Sequence, residues 1–313
     1  MNLVARPFAE NDAADWDAFV DGSVNGTLLH TRRYLGYHRD RFVDRSMLVH
    51  RDGSLVAVIA AAHPTGDDSA VVSHPGITYG GLVHGGSMRG SEVREALEAC
   101  LSVWACERFT YKAVPAVYHR MPAVDDVWAL FTLGARRTRC DLSWAVDLTV
   151  DLTITSNRKR GLARARKADV TVSVEASHLA AYWQVLEENL AARHQVRPVH
   201  TVEEMAELFT RCSGDIELHA ALIGDDVVAG IVVYRTPHAW HAQYIASSAL
   251  GRQVSALDAV VAFGLERARA NGAHWYDFGI SNDPTTSSLN EGLYAYKSSY
   301  GGGSVLHEHL TLP

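Results

Sequence analysis

The feature that most constrains this chain is an order of elements that occurs twice. In the first half, a strand at 46–50, the turn Arg51-Asp52-Gly53 and a returning strand at 55–62 read as a hairpin. Asp-Gly between two apolar runs favours a tight turn, because such turns need residues that tolerate positive φ. A further extended stretch begins at Val71. A helix is predicted from Ser91 to Arg108, with Val93, Leu97, Leu101 and Trp104 in one stripe, and a strand from Ala113 to Tyr118. The second half repeats this order: strand 216–223, turn Gly224-Asp225-Asp226, strand 227–234, extended stretch 240–245, helix 255–271, strand 275–278. Ser255 is expected to cap that helix, with Asp258 three residues on and Gly272 as its stop. The offset between halves is 173 residues from Gly53 to Asp226 and 164 from Ser91 to Ser255. A near-constant offset over matched elements implies two copies of one unit, expected at 1–150 and 151–313.

Composition narrows the function classes. The chain has 313 residues, 47% of them hydrophobic, enough for one large core or two ordinary ones. No run of about 18 apolar residues occurs, so no membrane span is expected, and the start of the sequence has no signal-peptide core. A soluble, cytoplasmic protein is expected. Cys100, Cys106, Cys140 and Cys212 form no CxxC pair, and the sixteen histidines match no ligand spacing, so neither a disulfide framework nor a metal site is expected. With a net charge of −7, contact with a polyanion has to be local. One segment allows it. Residues 158–167 hold six Lys or Arg, and on a helix Arg160, Arg164 and Lys167 share a face. That face reads either as a phosphate-binding stripe or as the solvated side of a linker helix.

A second distinctive stretch is Asn290-Glu291-Gly292-Leu293-Tyr294-Ala295-Tyr296-Lys297-Ser298-Ser299-Tyr300-Gly301-Gly302-Gly303. As a short helix it puts Leu293, Tyr296 and Tyr300 on one stripe, with Lys297 on its edge, and the glycines end it. From spacing alone Lys297 is either a snorkelling lysine, its stem on apolar surface and its ammonium in water, or a working one.

Asn290-Glu291-Gly292-Leu293, Tyr296-Lys297 and Tyr300-Gly301 resemble the carboxy-terminal signature of the FemAB/FemX-like acyltransferases, which more often have Phe at the two Tyr positions. The basic segment resembles the helix at the same place in those proteins. They are tandem proteins of the GNAT (Gcn5-related N-acetyltransferase) fold. The resemblance implies an α/β (α+β) chain of two tandem GNAT-like units, each a mixed sheet flanked by helices, whose core order is the one repeated here. It covers the second half well and the first more loosely. No heptad insertion like the coiled-coil arm of some members interrupts the chain. In the peptidoglycan-bridge members the lysine of this motif is implicated in stabilising the oxyanion of acyl transfer.

Acyl transfer to an amine needs a deprotonated amine, a donor for the developing oxyanion and substrates held in line. No Gly-x-Ser-x-Gly elbow or Cys/His pair stands out, so direct attack on a bound ester or thioester fits better than an acyl-enzyme. Lys297 serves as an oxyanion-stabilising cation or, with a lowered pKa, as a base; the residues leave both open. Tyr296, beside it, and Asp277, at a strand end, are carried with it as candidate catalytic residues, although an aspartate there also suits a structural turn. Tyr79, Gln243, Tyr244 and Asn290 are candidate substrate-binding residues; Tyr79 equally suits packing. GNAT enzymes that use acetyl-CoA usually carry Gln/Arg-x-x-Gly-x-Gly/Ala before the central helix, where backbone N–H groups and the helix dipole hold the pyrophosphate. Here Ser248-Ala249-Leu250-Gly251-Arg252-Gln253 keeps only the middle glycine, and His84-Gly85-Gly86-Ser87-Met88-Arg89-Gly90 is glycine-rich but off-pattern. The reading is therefore aminoacyl transfer from aminoacyl-tRNA to a small-molecule or peptide amine, with charged tRNA touching Arg160, Arg164 and Lys167. The alternatives are an acetyl-CoA-dependent N-acetyltransferase and a non-catalytic binding module.

Overall fold

The computed structural model describes residues 3–194 and 197–313, the side chains of 193 and 194 excepted. The chain folds into two compact units. Unit 1 is Met1–Leu142 with Asn282–Ser288 and Val305–Pro313; unit 2 is Ser143–Ser281 with Leu289–Ser304.

In unit 1, strands β1 (Leu3–Pro7), β2 (Met47–Arg51), β3 (Ser54–Ile59) and β5 (Leu82–His84) make an antiparallel sheet in the order β1-β2-β3-β5. Helices α1 (Ala13–Gly22) and α2 (Arg32–Leu35) lie between β1 and β2 in the chain. Strand β4 (Ala70–Val72) runs parallel to β6 (Arg108–Lys112), which pairs antiparallel with β13 (Gly303–Leu312). Helix α3 (Ser91–Trp104) buries Val93, Ala96, Leu97, Cys100 and Trp104 with Met47, Ile59, Phe109, Tyr111 and Leu310. Helix α4 (Asp125–Thr132) completes this core with Ala129 and Leu130.

The expected helix end at Arg108 and strand at 113–118 are shifted. Helix α3 stops at Trp104 because Ala105 takes a left-handed conformation, φ 47°. The strand is then 108–112; Pro115, which has no N–H to give a ladder, starts a short 3-10 turn at Ala116–Tyr118.

Unit 2 is a mixed six-stranded sheet. It takes the end of β7 (Arg136–Asp147), then β12 (Trp275–Ile280), β11 (Ala239–Ser247), β10 (Asp226–Arg235), β9 (Ile216–Ile223) and β8 (Thr171–Ser173), in the order β7-β12-β11-β10-β9-β8. Side chains alternate across β10. Ala229, Ile231 and Val233 join the core cluster that includes Val260, Val261 and Leu265 of helix α9 (Ala256–Ala270). On the other face, Gly230 meets the ring of Tyr182 from helix α6 (Leu179–His194); a β carbon there would sit 2.6 Å from that ring. The remaining helices are α5 (Ser156–Lys167), α7 (Val202–Arg211), α8 (Ala249–Val254) and α10 (Glu291–Ser298).

Among the described residues no helix is long and apolar enough to cross a membrane, and no group of three or more His, Cys, Asp or Glu is placed to hold a metal.

Candidate active site

The parallel strands β11 and β12 share only three pairs: Ala239 with Trp275, Trp240 with Tyr276, and His241 with Asp277. Beyond that last pair β11 continues along β10 to Ser247, while β12 bulges between Asp277 and Ile280 against β7. A fork opens at His241 and Asp277. The carboxyl ends of parallel strands, where neighbours part, are where open α/β sheets place their ligands.

Three elements send side chains to this fork. Asp277, on β12, is fully buried. Its Oδ2 lies 3.1 Å from Nδ1 of His241 on β11, and its Oδ1 accepts the N–H of Gly279 at 3.0 Å. An ionised carboxylate only accepts, so the imidazole donates through Nδ1. Gly279 has φ 72°, a conformation glycine takes without strain. Lys297, on α10, donates from Nζ to the carbonyl oxygens of Gly279 and Ile280, each at 2.8 Å. Burial pulls the Lys297 pKa down to about 8, with Asp277 acting in the other direction.

Lys297 is 3% exposed and Leu293 is 39% exposed, so the expected arrangement is reversed. The lysine is not on the rim of an apolar stripe; it points inward, and Leu293 faces out. The cause is tertiary. Tyr300 stacks on Phe278, which turns the α10 face bearing Lys297 toward the end of β12.

A second polar network lies at the start of α9. Asp258, in its first turn, accepts from Nη1 of Arg158 at 2.6 Å and from the Tyr300 hydroxyl at 2.5 Å. The Tyr296 hydroxyl lies 2.9 Å from that of Tyr300, and the Arg158 guanidinium sits over both rings, 5.0 and 5.6 Å from their centroids. Burial, first among several causes, raises the pKa of both tyrosines. Tyr296 therefore belongs to this network and not to the hydrogen bonds of Lys297. Helix α5 approaches α9 closely at Gly161, where a β carbon would lie 1.8 Å from Asp258 Oδ2. Of the basic residues of α5, Arg158 turns inward. Arg160, Arg164 and Lys167 are exposed, and Arg164 reaches Ser255 Oγ at 2.9 Å.

The expected cap of α9 takes another form. Ser255 has φ 60° and makes no side-chain cap bond; Asp258 turns to Arg158 and Tyr300. The stretch before it, 248–254, is wound into α8. There the Gly251 N–H is taken by Ser248 Oγ at 3.0 Å, and a β carbon on Gly251 would meet the Val228 carbonyl at 2.2 Å. That glycine serves packing.

The other sequence candidates lie elsewhere. Asn290 caps α10, accepting the Leu293 N–H at 3.0 Å. Tyr244 bonds through its hydroxyl to His200 Nδ1 at 2.5 Å and packs edge-on against Trp183, with Gln243 half-buried beside it. Tyr79 is buried in unit 1, its ring 4.6 Å from that of Tyr118. His241 was not among the candidates. The signal for it was its place on the strand that precedes the central helix, two residues before Gln243.

Residues 153–298 match the family described as "Acetyltransferase (GNAT) domain". Among solved structures, the crystal structure of FemX superposes with a TM-score of 0.72 at 15% identity, covering 99% of this chain and 97% of FemX. This chain has a FemX-like tandem GNAT fold. L-PGS from Bacillus licheniformis matches with a TM-score of 0.63 at 13% identity, over 99% of this chain and 93% of its own. A tandem GNAT protein from the clavulanic acid biosynthesis pathway matches at 0.55 and 12%, over 99% and 98%. No curated protein matches the sequence. The fork at His241 and Asp277 lies within the residues that match the acetyltransferase domain.

Proposed function

We propose that this chain forms an amide bond by moving an aminoacyl group from charged tRNA to an amine of a small molecule or peptide. The observation that carries the choice of donor is Asp258. The first turn of a helix attracts an anion, and acetyl-CoA enzymes of this fold seat a pyrophosphate there. Here the chain's own buried carboxylate, tied to Arg158 and Tyr300, occupies that position. A pyrophosphate brought beside it has to compete with that carboxylate for Arg158 and for the helix start.

In the reaction, the free amine attacks the ester carbonyl carbon and a C–N bond forms. The carbonyl oxygen becomes an oxyanion, which then re-forms the carbonyl as the C–O bond to the ribose breaks and the proton of the amine nitrogen passes to the departing ribose oxygen. With a pKa near 8, Lys297 is mostly an ammonium at neutral pH. Two of its three N–H groups are committed to the Gly279 and Ile280 carbonyls, which leaves the third for an oxyanion at the fork. This supports the cation over the base. Acceptors in the same class are cell-wall precursors, peptides and secondary metabolites bearing an amine.

Acetyl-CoA is the competing donor, favoured by the match of residues 153–298 to an acetyltransferase domain. Thermal melting separates the two. A donor at 100 times its dissociation constant adds about 2.7 kcal/mol to stability. Charged tRNA is expected to raise the melting temperature and acetyl-CoA to leave it unmoved; the reverse overturns the donor assignment.

The tRNA contact is expected along Arg160, Arg164 and Lys167. Changing all three to Glu should abolish tRNA binding and flatten the dependence of log K on log salt, because each neutralised phosphate contributes about −0.7 to −0.9 to that slope. Unchanged affinity and slope return the stripe to a solvated face.

A further inference from the structure

The groups behind Lys297 form one chain of hydrogen bonds across three elements. His241 Nδ1 meets Asp277 Oδ2 at 3.1 Å, and Asp277 Oδ1 takes the Gly279 N–H at 3.0 Å. That second bond braces the bulge of β12 at Gly279, and the bulge presents the Gly279 and Ile280 carbonyls to the ammonium. The His241 ring also lies close to this bulge: a β carbon at Gly279 would be 3.2 Å from its Cε1. The imidazole is buried and the carboxylate has no exposed surface, so both are held in one arrangement.

We propose that His241 and Asp277 are positioning residues for Lys297, holding the β12 bulge at Gly279–Ile280 that aims its ammonium at the fork. This rests on the reading of Lys297 as the group that meets the oxyanion. The two residues are suited to it for separable reasons. Asp277 supplies both the bond that shapes the bulge and the negative charge that opposes the effect of burial on the lysine. His241 fixes which way that carboxylate faces, as partners behind a reacting group commonly do. The charged group that acts on the lysine is Asp277 from β12, with His241 from β11 behind it; Glu291, Tyr294 and Tyr296 are the other titratable groups on α10 itself. Arg158 from α5 and Asp258 from α9 are paired with each other at the next network.

The experiment follows the Lys297 Cε resonance against pH in protein labelled at lysine, assigned by its loss in Lys297→Met. Asp277→Asn should move the midpoint down from about 8 by about one pH unit or more, since an opposite charge nearby is removed. His241→Leu should move it in the same direction by less. His241→Asn, which keeps an N–H near the old Nδ1, should bring it back toward the native value. Aminoacyl transfer should lose kcat with little change in KM for the acceptor, its pH profile moving with the midpoint. Folded Asp277→Asn and His241→Leu variants that both titrate like the native protein overturn the proposal. Should Asp277→Asn not fold, the two His241 variants decide by the same readout. A midpoint that moves as expected while turnover stays native upholds the positioning and removes Lys297 from the chemistry instead.

Discussion

Lys297→Met keeps the fold and most substrate binding and loses about 100- to 1000-fold in turnover, or roughly 3–4 kcal/mol of transition-state stabilisation. Methionine matches the stem and lacks the charge. Lys297→Arg recovers only part, because a planar guanidinium does not place its donors where an ammonium bonded to two carbonyls does. Steady-state aminoacyl transfer with melting curves on each variant tests this. Near-native turnover in the Met variant removes the lysine from the mechanism. The pH dependence has a definite sign. The folded pKa of about 8 lies below the ordinary lysine value of 10.5, so between them the unfolded chain holds the proton and the folded chain does not. This lysine's contribution to stability therefore rises as pH goes from about 8 to 10.5, and the Met variant lacks that rise. Activity that depends on the ammonium falls through the same lower limit.

Arg158→Ala costs about 3–5 kcal/mol of stability. The reason is what it leaves behind. Asp258, with 6% of its side chain exposed, keeps the Tyr300 hydroxyl and loses the guanidinium that pairs with it. The aromatic rings of Tyr296 and Tyr300 also lose the guanidinium above them. The double variant Arg158→Met/Asp258→Leu should restore much of the loss, since replacing a buried pair is often neutral where breaking it is not. Urea unfolding of the single and double variants measures both. A single variant as stable as the native chain contradicts the account.

Much of this was legible in the sequence where the signal is local. Hairpins, the two central helices and the motif around Lys297 are set by turn residues, periodicity and spacing, and they lie close to where those place them. Asp277 could be read as well, at the end of an apolar strand. Three things depended on distant partners. A helix as short as α10 has no periodicity long enough to say which side faces in, so the burial of Lys297 depended on Tyr300 meeting Phe278. His241 is one of sixteen histidines, and only the register of β11 against β12 puts it beside Asp277. Arg158 and Asp258 are 100 residues apart, and each looks unremarkable alone: one basic residue in a basic run, one acid near a helix start. Their pairing decides that the run has an inner and an outer side.

The partition of the chain also bears on how the protein can be taken apart. The repeat suggests two modules separable after residue 150, yet neither half owns all its parts. Val146 and Asp147 are ladder partners of Tyr276 and Trp275, so a fragment beginning at 151 exposes the β12 edge that carries Asp277. A fragment ending at 150 lacks Leu310 and Leu312, which belong to the core beneath α3. Domain exchange with another protein of this fold therefore has to carry the carboxy-terminal strand along with the first half, and the junction belongs before Ser143, where unit 2 begins.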